Sequence, residues 1–77
     1  MYKIIKTKGG SSYILFGKNG RTFLMKGYLF GEVLKFNEEV RVGGSLNVNL
    51  LKENIYGRSD SFPTWLRSST IISIEEP

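Results

Sequence analysis

The most regular alternation of hydrophobic and polar residues lies in segment 45–52. Its apolar positions are Leu46, Val48 and Leu50, each separated from the next by one polar residue. Since successive side chains of a strand point to opposite faces, this spacing predicts a strand with one buried face. Leu51 interrupts the alternation and predicts a bulge or a sheet edge. The polar positions, which are predicted to face outward, are Ser45, Asn47 and Asn49.

Glycine-containing turns separate several other short segments rich in strand-forming residues. The Asn19-Gly20 pair predicts a two-residue β-hairpin that brings Phe16 and Phe23 together, because both central positions of such a turn require positive φ. Segment 27–31 is apolar between two glycines and predicts a sharp bend or a bulge. The predicted strands are 2–8, 12–17, 22–26, 32–36 and 70–75, with a helical turn as the alternative at 32–36 and a short helical turn predicted at 62–66.

These elements predict an all-β fold, because no segment has the length and amphipathic pattern of a substantial helix. Five or six short antiparallel strands in one domain, 1–77, predict a small closed or nearly closed barrel, SH3-like or OB-like. Closure avoids unpaired strand edges, so 70–74 is expected to pair with 3–7. Segment 12–17 is too apolar for a strand with one polar face.

Composition limits the chemistry that the chain can perform. Its 77 residues include no Cys and no His, which excludes zinc fingers and His-based catalysis. The sequence contains no nucleophile elbow, phosphate-binding loop or dinucleotide-binding glycine motif. The adjacent acids Glu38-Glu39 and Glu75-Glu76 would point to opposite faces of a strand. The sequence therefore predicts a non-enzymatic protein without a metal or cofactor.

The formal net charge of +4 favours an anionic partner, although a soluble basic surface is the open alternative. A core this small, without disulfides, predicts a homo-oligomer. The apolar runs are shorter than the roughly 20 residues of a membrane helix, and the N-terminus lacks the pattern of a signal peptide. We therefore expect a cytoplasmic protein that does not enter a membrane.

Segment 57–74 combines side chains that suit a binding site for an anion. Arg58 and Arg67 flank a series of hydroxyl side chains, and a guanidinium group matches phosphate bidentately. Phe62 and Trp65 offer rings on which a base could stack, and Asp60 could accept a hydrogen bond from a base or a ribose. The predicted ligand-binding residues are Tyr56, Arg58, Ser59, Asp60, Ser61, Phe62, Trp65, Arg67, Ser68 and Ser69.

Each of these residues also has a structural interpretation. Trp65 could be a lid on the core, and the two arginines could pair with Asp60 or Glu75 on the surface. Binding of a small phosphorylated, nucleotide-like ligand is the first hypothesis. The second is a protein–protein adaptor or inhibitor that inserts the loop of Phe62 and Trp65 into a host protein. A third is single-stranded nucleic-acid binding through Lys3, Lys6, Lys8, Lys18, Arg21 and Lys26.

Three segments resemble small bacteriophage proteins. They are 1–4 (Met-Tyr-Lys-Ile), 9–13 (Gly-Gly-Ser-Ser-Tyr) and 67–75 (Arg-Ser-Ser-Thr-Ile-Ile-Ser-Ile-Glu). Together these segments contain 18 of the 77 residues. It implies a small β protein, and some phage proteins of this kind sequester the cyclic nucleotide signals of bacterial immune systems. By analogy, the expected function is a phage anti-defence sponge acting in the cytosol of the host cell.

Overall fold

The computed structural model describes residues 1–53 and 61–77, with the side chains of all of these except 52, 53, 61 and 62. The regular structure of this part of the chain is six β-strands. They are β1 (Tyr2–Thr7), β2 (Ser12–Lys18), β3 (Arg21–Lys26), β4 (Leu29–Phe36), β5 (Ser45–Glu53) and β6 (Ser61–Glu75).

The six strands form one closed antiparallel barrel in which each strand pairs with its neighbours in sequence and β6 pairs with β1. Ile5 lies opposite Ile74 at the closing seam, as the closure argument predicted. The prediction of a small all-β antiparallel barrel is confirmed. The described residues include no helix with the length and hydropathy needed to cross a bilayer.

One apolar cluster fills the interior of the barrel. Leu46, Val48 and Leu50 of β5 are completely buried, which confirms the face assignment made from their alternation. Leu24 and Ile71 reach the same interior from β3 and β6. Burial of these side chains is the main contribution that can offset the chain entropy in a domain without disulfides.

The β2–β3 hairpin turns at Asn19 and Gly20, whose φ angles are 54° and 75°. This is the backbone of a two-residue turn with positive φ at both centres, as the Asn-Gly pair predicts. The turn sets Phe16 opposite Phe23, and their ring centroids are 5.5 Å apart. Segment 27–31 differs from its prediction. The chain reverses at Gly27, where φ is 55°, and β4 then pairs in regular register.

Strand β6 is 15 residues long and contains two register shifts. Its first half pairs with β5 and its second half with β1, so the bends at the shifts let one strand close the barrel. The helical turn predicted at 62–66 is wrong, because these residues form the paired start of β6. Residues 61–67 pair with β5 on one side and, within the described residues, with no strand on the other. Pro63 is tolerated there because a proline, which lacks a backbone N–H, can be accommodated at a strand edge.

A further register shift lies in β4 rather than at Leu51, where the sequence predicted one. Leu51 pairs regularly with Glu32 and Pro63. In β4 the register changes between Val33 and Lys35, so that Leu34 is the extra residue. After this bulge the strand faces are exchanged, and Lys35 lies outside the barrel instead of pointing at the core.

Candidate functional site

The outer surface of β4, β5 and β6 holds a polar and aromatic group of side chains. One cross-strand row contains Lys35, Asn49 and Trp65. The next row pairs Asn47 with Arg67 and includes Asn37, whose N–H donates to the carbonyl of Asn47 at 2.8 Å. We call this surface the asparagine face, consisting of Lys35, Asn37, Asn47, Asn49, Trp65 and Arg67.

Trp65 lies on this outer surface and not in the core. Its side chain is 62% exposed, so the structural alternative of a lid on the core is wrong. Its Nε1–H donates a hydrogen bond of 2.6 Å to Oδ1 of Asn47. A ring that is both exposed and held at its polar end presents a fixed apolar plane to a ligand.

The three asparagine side chains are joined in one network. Nδ2 of Asn37 donates to Oδ1 of Asn47 at 3.2 Å and to Oδ1 of Asn49 at 3.1 Å. Nδ2 of Asn47 donates to Oε2 of Glu38 at 3.0 Å. The network fixes which oxygen and which nitrogen of each amide can address a ligand. Within the described residues, Nδ2 of Asn49 and Oδ1 of Asn37 make no hydrogen bond.

An open recess of about 380 Å³ adjoins the ring of Trp65. Leu34 and Pro63 provide its apolar walls, while Thr64 and Asn49 provide polar atoms. Leu34 reaches this position because it is the extra residue of the β4 bulge. The recess has the volume of small-ligand sites, although it is open to solvent rather than enclosed.

The asparagine face carries two cationic side chains, Lys35 and Arg67. Lys35 and Arg67 are exposed, and within the described residues neither makes an ion pair. Several of the other cations are already engaged: Lys3 pairs with Glu76, Lys6 with Glu75 and Arg21 with Glu32, and Lys26 lies 5.1 Å from the ring centroid of Tyr13.

The sequence-predicted basic set does not gather on one surface beside the tryptophan. Lys3, Lys6 and Lys8 lie in or next to β1, whereas Lys18 and Arg21 flank the β2–β3 turn. A single-stranded nucleic acid following those cations would not meet Trp65 on β6. An anion that contacts Trp65 would meet Lys35 and Arg67 instead.

Two hydroxyls of the predicted site have structural roles. Ser68 is buried, and its Oγ accepts from the N–H of Leu46 at 2.8 Å and donates to the carbonyl of Ser69 at 2.7 Å. Oγ of Ser69 accepts from the N–H of Gly9 at 2.9 Å. Both side chains stabilise the β6 bulge and its contact with the β1–β2 turn, so we leave them out of the asparagine face.

The structure brings together only part of the set that was predicted from sequence. Trp65 and Arg67 share one surface, two residues apart on β6. Ser61 and Phe62 belong to the backbone of β6, but their side chains lie outside the described set. The remaining predicted residues, Tyr56, Arg58, Ser59 and Asp60, lie outside the described residues.

Sequence reasoning missed the contributions of β4 and β5 to this surface. Alternation correctly placed Asn47 and Asn49 on the outside of the barrel. What it could not supply was the pairing of β5 with residues 61–67, which sets these amides beside Trp65. The outward position of Lys35 could not be predicted for another reason, since it depends on the bulge at Leu34.

No family model, no curated protein and no solved structure matches this chain. The fold and the site define a small six-stranded β-barrel with an exposed, hydrogen-bonded tryptophan on an asparagine-rich outer face.

Proposed function

We propose that the protein is a non-catalytic binder of a phosphorylated, base-containing ligand, which it sequesters on the asparagine face. The single observation that carries the proposal is the Trp65 ring, which is 62% exposed, held by Asn47 and followed two residues later by the exposed Arg67. A planar apolar surface beside a guanidinium group suits a ligand that joins an aromatic base to a phosphate.

Stacking on Trp65 is the first part of the proposed binding. Bases stack on aromatic side chains with about 1–3 kcal/mol per base. The hydrogen bond from the indole to Asn47 limits the orientations of the ring before a ligand arrives. Less ordering entropy is then lost on binding, which favours affinity.

Hydrogen bonding to the edge of the base is the second part. Nδ2 of Asn49 and Oδ1 of Asn37, which bond to no other described residue, would supply a donor and an acceptor on the same surface as the ring. Carboxamides can form paired donor and acceptor contacts with bases. These groups would select among bases, whereas the indole would bind any of them.

Attraction between the cationic side chains and a phosphate is the third part of the proposed binding. Lys35 and Arg67 flank the two asparagine rows on β4 and β6. Arg67 can contact a phosphate through two N–H groups, and Lys35 adds a point charge. An anionic ligand would therefore bind more weakly as salt is added.

The bacteriophage resemblance suggests a cyclic nucleotide immune signal as the ligand, and tight stoichiometric capture as the inhibitory mechanism. A short single-stranded oligonucleotide presents the same bases and phosphates to an open surface. The cyclic nucleotide and the oligonucleotide share the same binding chemistry, and direct titration with each ligand distinguishes them.

Titration of the full chain, followed by calorimetry and by the fluorescence of its single tryptophan, tests the proposal. The panel contains cyclic mononucleotides, cyclic dinucleotides, cyclic trinucleotides and single-stranded oligonucleotides. Saturable quenching with one of the small ligands supports sequestration, and binding of oligonucleotides alone supports strand binding. A flat response across the whole panel overturns the proposal.

Two matched variants locate the binding. Trp65→Ala should weaken binding by about 5- to 150-fold, the equivalent of one lost stacking contact. Ile72→Ala is the control, because Ile72 is a similarly exposed apolar residue of β6, at 56%, that lies outside the asparagine face. Equal affinities for the two variants would place the ligand elsewhere.

A protein partner is the second candidate, and a specific observation favours it. Leu34 is 55% exposed and lies beside Pro63 and Trp65 in the open recess. Exposed tryptophan with neighbouring aliphatic residues is typical of the centre of a protein interface. Capture of a host protein by the native chain but not by Trp65→Ala, together with a flat nucleotide panel, would select this alternative.

A further inference from the structure

The barrel has a second outer surface of opposite character, on β1 to β4. Its side chains belong to positions that alternate with the buried ones. Phe16 pairs with Phe23 on this outer side, whereas their neighbours Leu15 and Leu24 face the core. We call this surface the phenylalanine face, consisting of Ile4, Ile14, Phe16, Phe23, Met25 and Phe30.

The residues of the phenylalanine face form two continuous rows. Ile4, Ile14, Met25 and Phe30 are consecutive cross-strand partners from β1 to β4. In the other row, which runs from Tyr2 on β1 to Glu32 on β4, Phe16 and Phe23 stack on each other. Phe30 of the first row stacks on Phe23 with a centroid distance of 5.6 Å. The apolar part of the second row therefore ends at the carboxylate of Glu32, and β2 is apolar on its outer face as well as on its inner one.

We infer that the phenylalanine face is a dimer interface, and that its occupant is the same face of a second copy of this chain. A central surface without hydrogen-bonding groups requires an apolar partner, because a polar one would lose its hydration without compensation. A two-fold axis brings the same patch to both sides of an interface. The second copy therefore supplies a partner of the required chemistry.

The size of the face fits a reversible dimer. Four strands at about 4.8 Å spacing and about three residues at about 3.4 Å along each strand project roughly 200 Å². Even with the polar rim around it, an interface of two such faces stays below about 1,200 Å² in total, which is the range of weak complexes. We therefore expect association that depends on protein concentration.

The charges around the face favour a second copy over an anionic partner. Nζ of Lys6 lies 3.1 Å from Oε1 of Glu75, and Arg21 lies 4.0 Å from Glu32. These rim cations are compensated within each chain, so two copies can approach without bringing unpaired like charges together at those points. An anionic lipid surface would instead favour cations that lack a partner.

The position of the face leaves the asparagine face open. In the closed order of six strands, β2 and β3 lie across the barrel from β5 and β6. A dimer formed through the phenylalanine face would carry two ligand surfaces directed away from each other. Dimerisation should also be insensitive to salt or strengthened by it, since each copy has a formal charge of +4. Ligand binding should respond to salt in the opposite direction.

Sedimentation velocity of the full chain from about 1 to about 200 µM tests this inference, because mass action makes the dimer fraction depend on concentration. Met25→Lys and Phe23→Lys should each weaken dimerisation by at least about tenfold, as expected for charges placed in an apolar interface. Ile72→Lys adds the same charge at an exposed residue outside the face, and it should change the dimer constant by less than about twofold.

Met25 is already 37% exposed, so Met25→Lys should fold even if Phe23→Lys does not, and circular dichroism checks both variants. A native chain that is monomeric over the whole range overturns the inference. So does a dimer that persists unchanged in Met25→Lys. Flotation of a monomeric native chain with phosphatidylcholine–phosphatidylglycerol vesicles would also overturn it, by identifying a lipid surface as the occupant.

Discussion

The indole Nε1–H of Trp65 donates to Oδ1 of Asn47 at 2.6 Å, although the register partner of Trp65 is Asn49. The bond therefore runs diagonally across β5 and β6. Diagonal neighbours in a sheet lie within reach of long aromatic side chains. This bond turns the ring toward the amide network and connects the aromatic part of the asparagine face to its polar part.

Asn47→Leu should loosen the ring of Trp65, because Leu has a similar volume but no acceptor for the indole N–H. We expect lower steady-state fluorescence anisotropy of the free protein and weaker binding of any stacked ligand. The matched control is Asn49→Leu, which alters the same surface but removes no bond to the indole. If the anisotropy of the two variants is the same, Asn47 does not restrain the ring.

Much of the barrel could be predicted from the sequence, because several of its determinants are local. Alternation around Val48 assigned the buried face of β5, and the Asn19-Gly20 pair fixed the β2–β3 turn. Closure by the last strand followed from the need to cover sheet edges. These features depend on residues near each other in sequence or on a rule that applies to any small sheet.

The start of β6 could not be predicted in this way. Phe62, Pro63 and Thr64 have local features of a helix start, and their strand conformation comes from pairing with β5. The asparagine face depends on the same pairing and on the bulge at Leu34, which shifts the register by one residue. A register of this kind is set by the packing of the whole barrel, so local patterns do not reveal it.

Glu38→Gln should strengthen the binding of a phosphorylated ligand. Glu38 accepts a hydrogen bond from Asn47, so its carboxylate lies beside the asparagine face and repels an anion there. Removing this charge while keeping an acceptor should raise affinity about twofold at low salt, with less effect at physiological salt. Calorimetric titration at two salt concentrations measures the difference.

The control for Glu38→Gln is Glu76→Gln, which changes the net charge equally but removes a carboxylate that pairs with Lys3 at the closing seam. It should leave ligand affinity nearly unchanged. Equal gains in the two variants would mean that the ligand senses only the net charge of the protein, and not a carboxylate at its binding surface.

Ser68→Ala should destabilise the barrel. The substitution leaves the N–H of Leu46 without its 2.8 Å partner at a buried position. An unsatisfied buried donor costs about 1–3 kcal/mol of unfolding free energy. Urea denaturation at one fixed protein concentration should show a lower midpoint with an unchanged slope.

Ser73→Ala is the matched control for Ser68, since Ser73 lies on the same strand and makes no side-chain hydrogen bond within the described residues. Its unfolding free energy should remain within about 0.5 kcal/mol of the native value. A loss for Ser68→Ala no larger than that for Ser73→Ala would show that the bulge does not depend on the hydroxyl.

Gly9→Ala should also destabilise the barrel, and the size of the effect should depend on Ser69. A Cβ at position 9 would lie 2.9 Å from Oγ of Ser69, the atom that accepts from the Gly9 N–H. The substitution therefore forces the hydroxyl away from the position in which it holds the β1–β2 turn. In a Ser69→Ala background that hydroxyl is absent, so Gly9→Ala should cost less there.

A double-mutant cycle measured by urea denaturation gives this coupling directly. We expect the two single substitutions to sum to more than the double substitution, with an interaction energy of about 0.5 kcal/mol or more. Gly10→Ala is the control for the turn, because φ at Gly10 is +87° and no described residue other than its chain neighbours has an atom within 4 Å of the point that a Cβ would occupy there. Gly10→Ala should lower the unfolding free energy through backbone strain alone, so the loss should be the same in the native and the Ser69→Ala backgrounds. Additivity for Gly9→Ala and Ser69→Ala would show that the hydroxyl can move away from the new methyl group without loss.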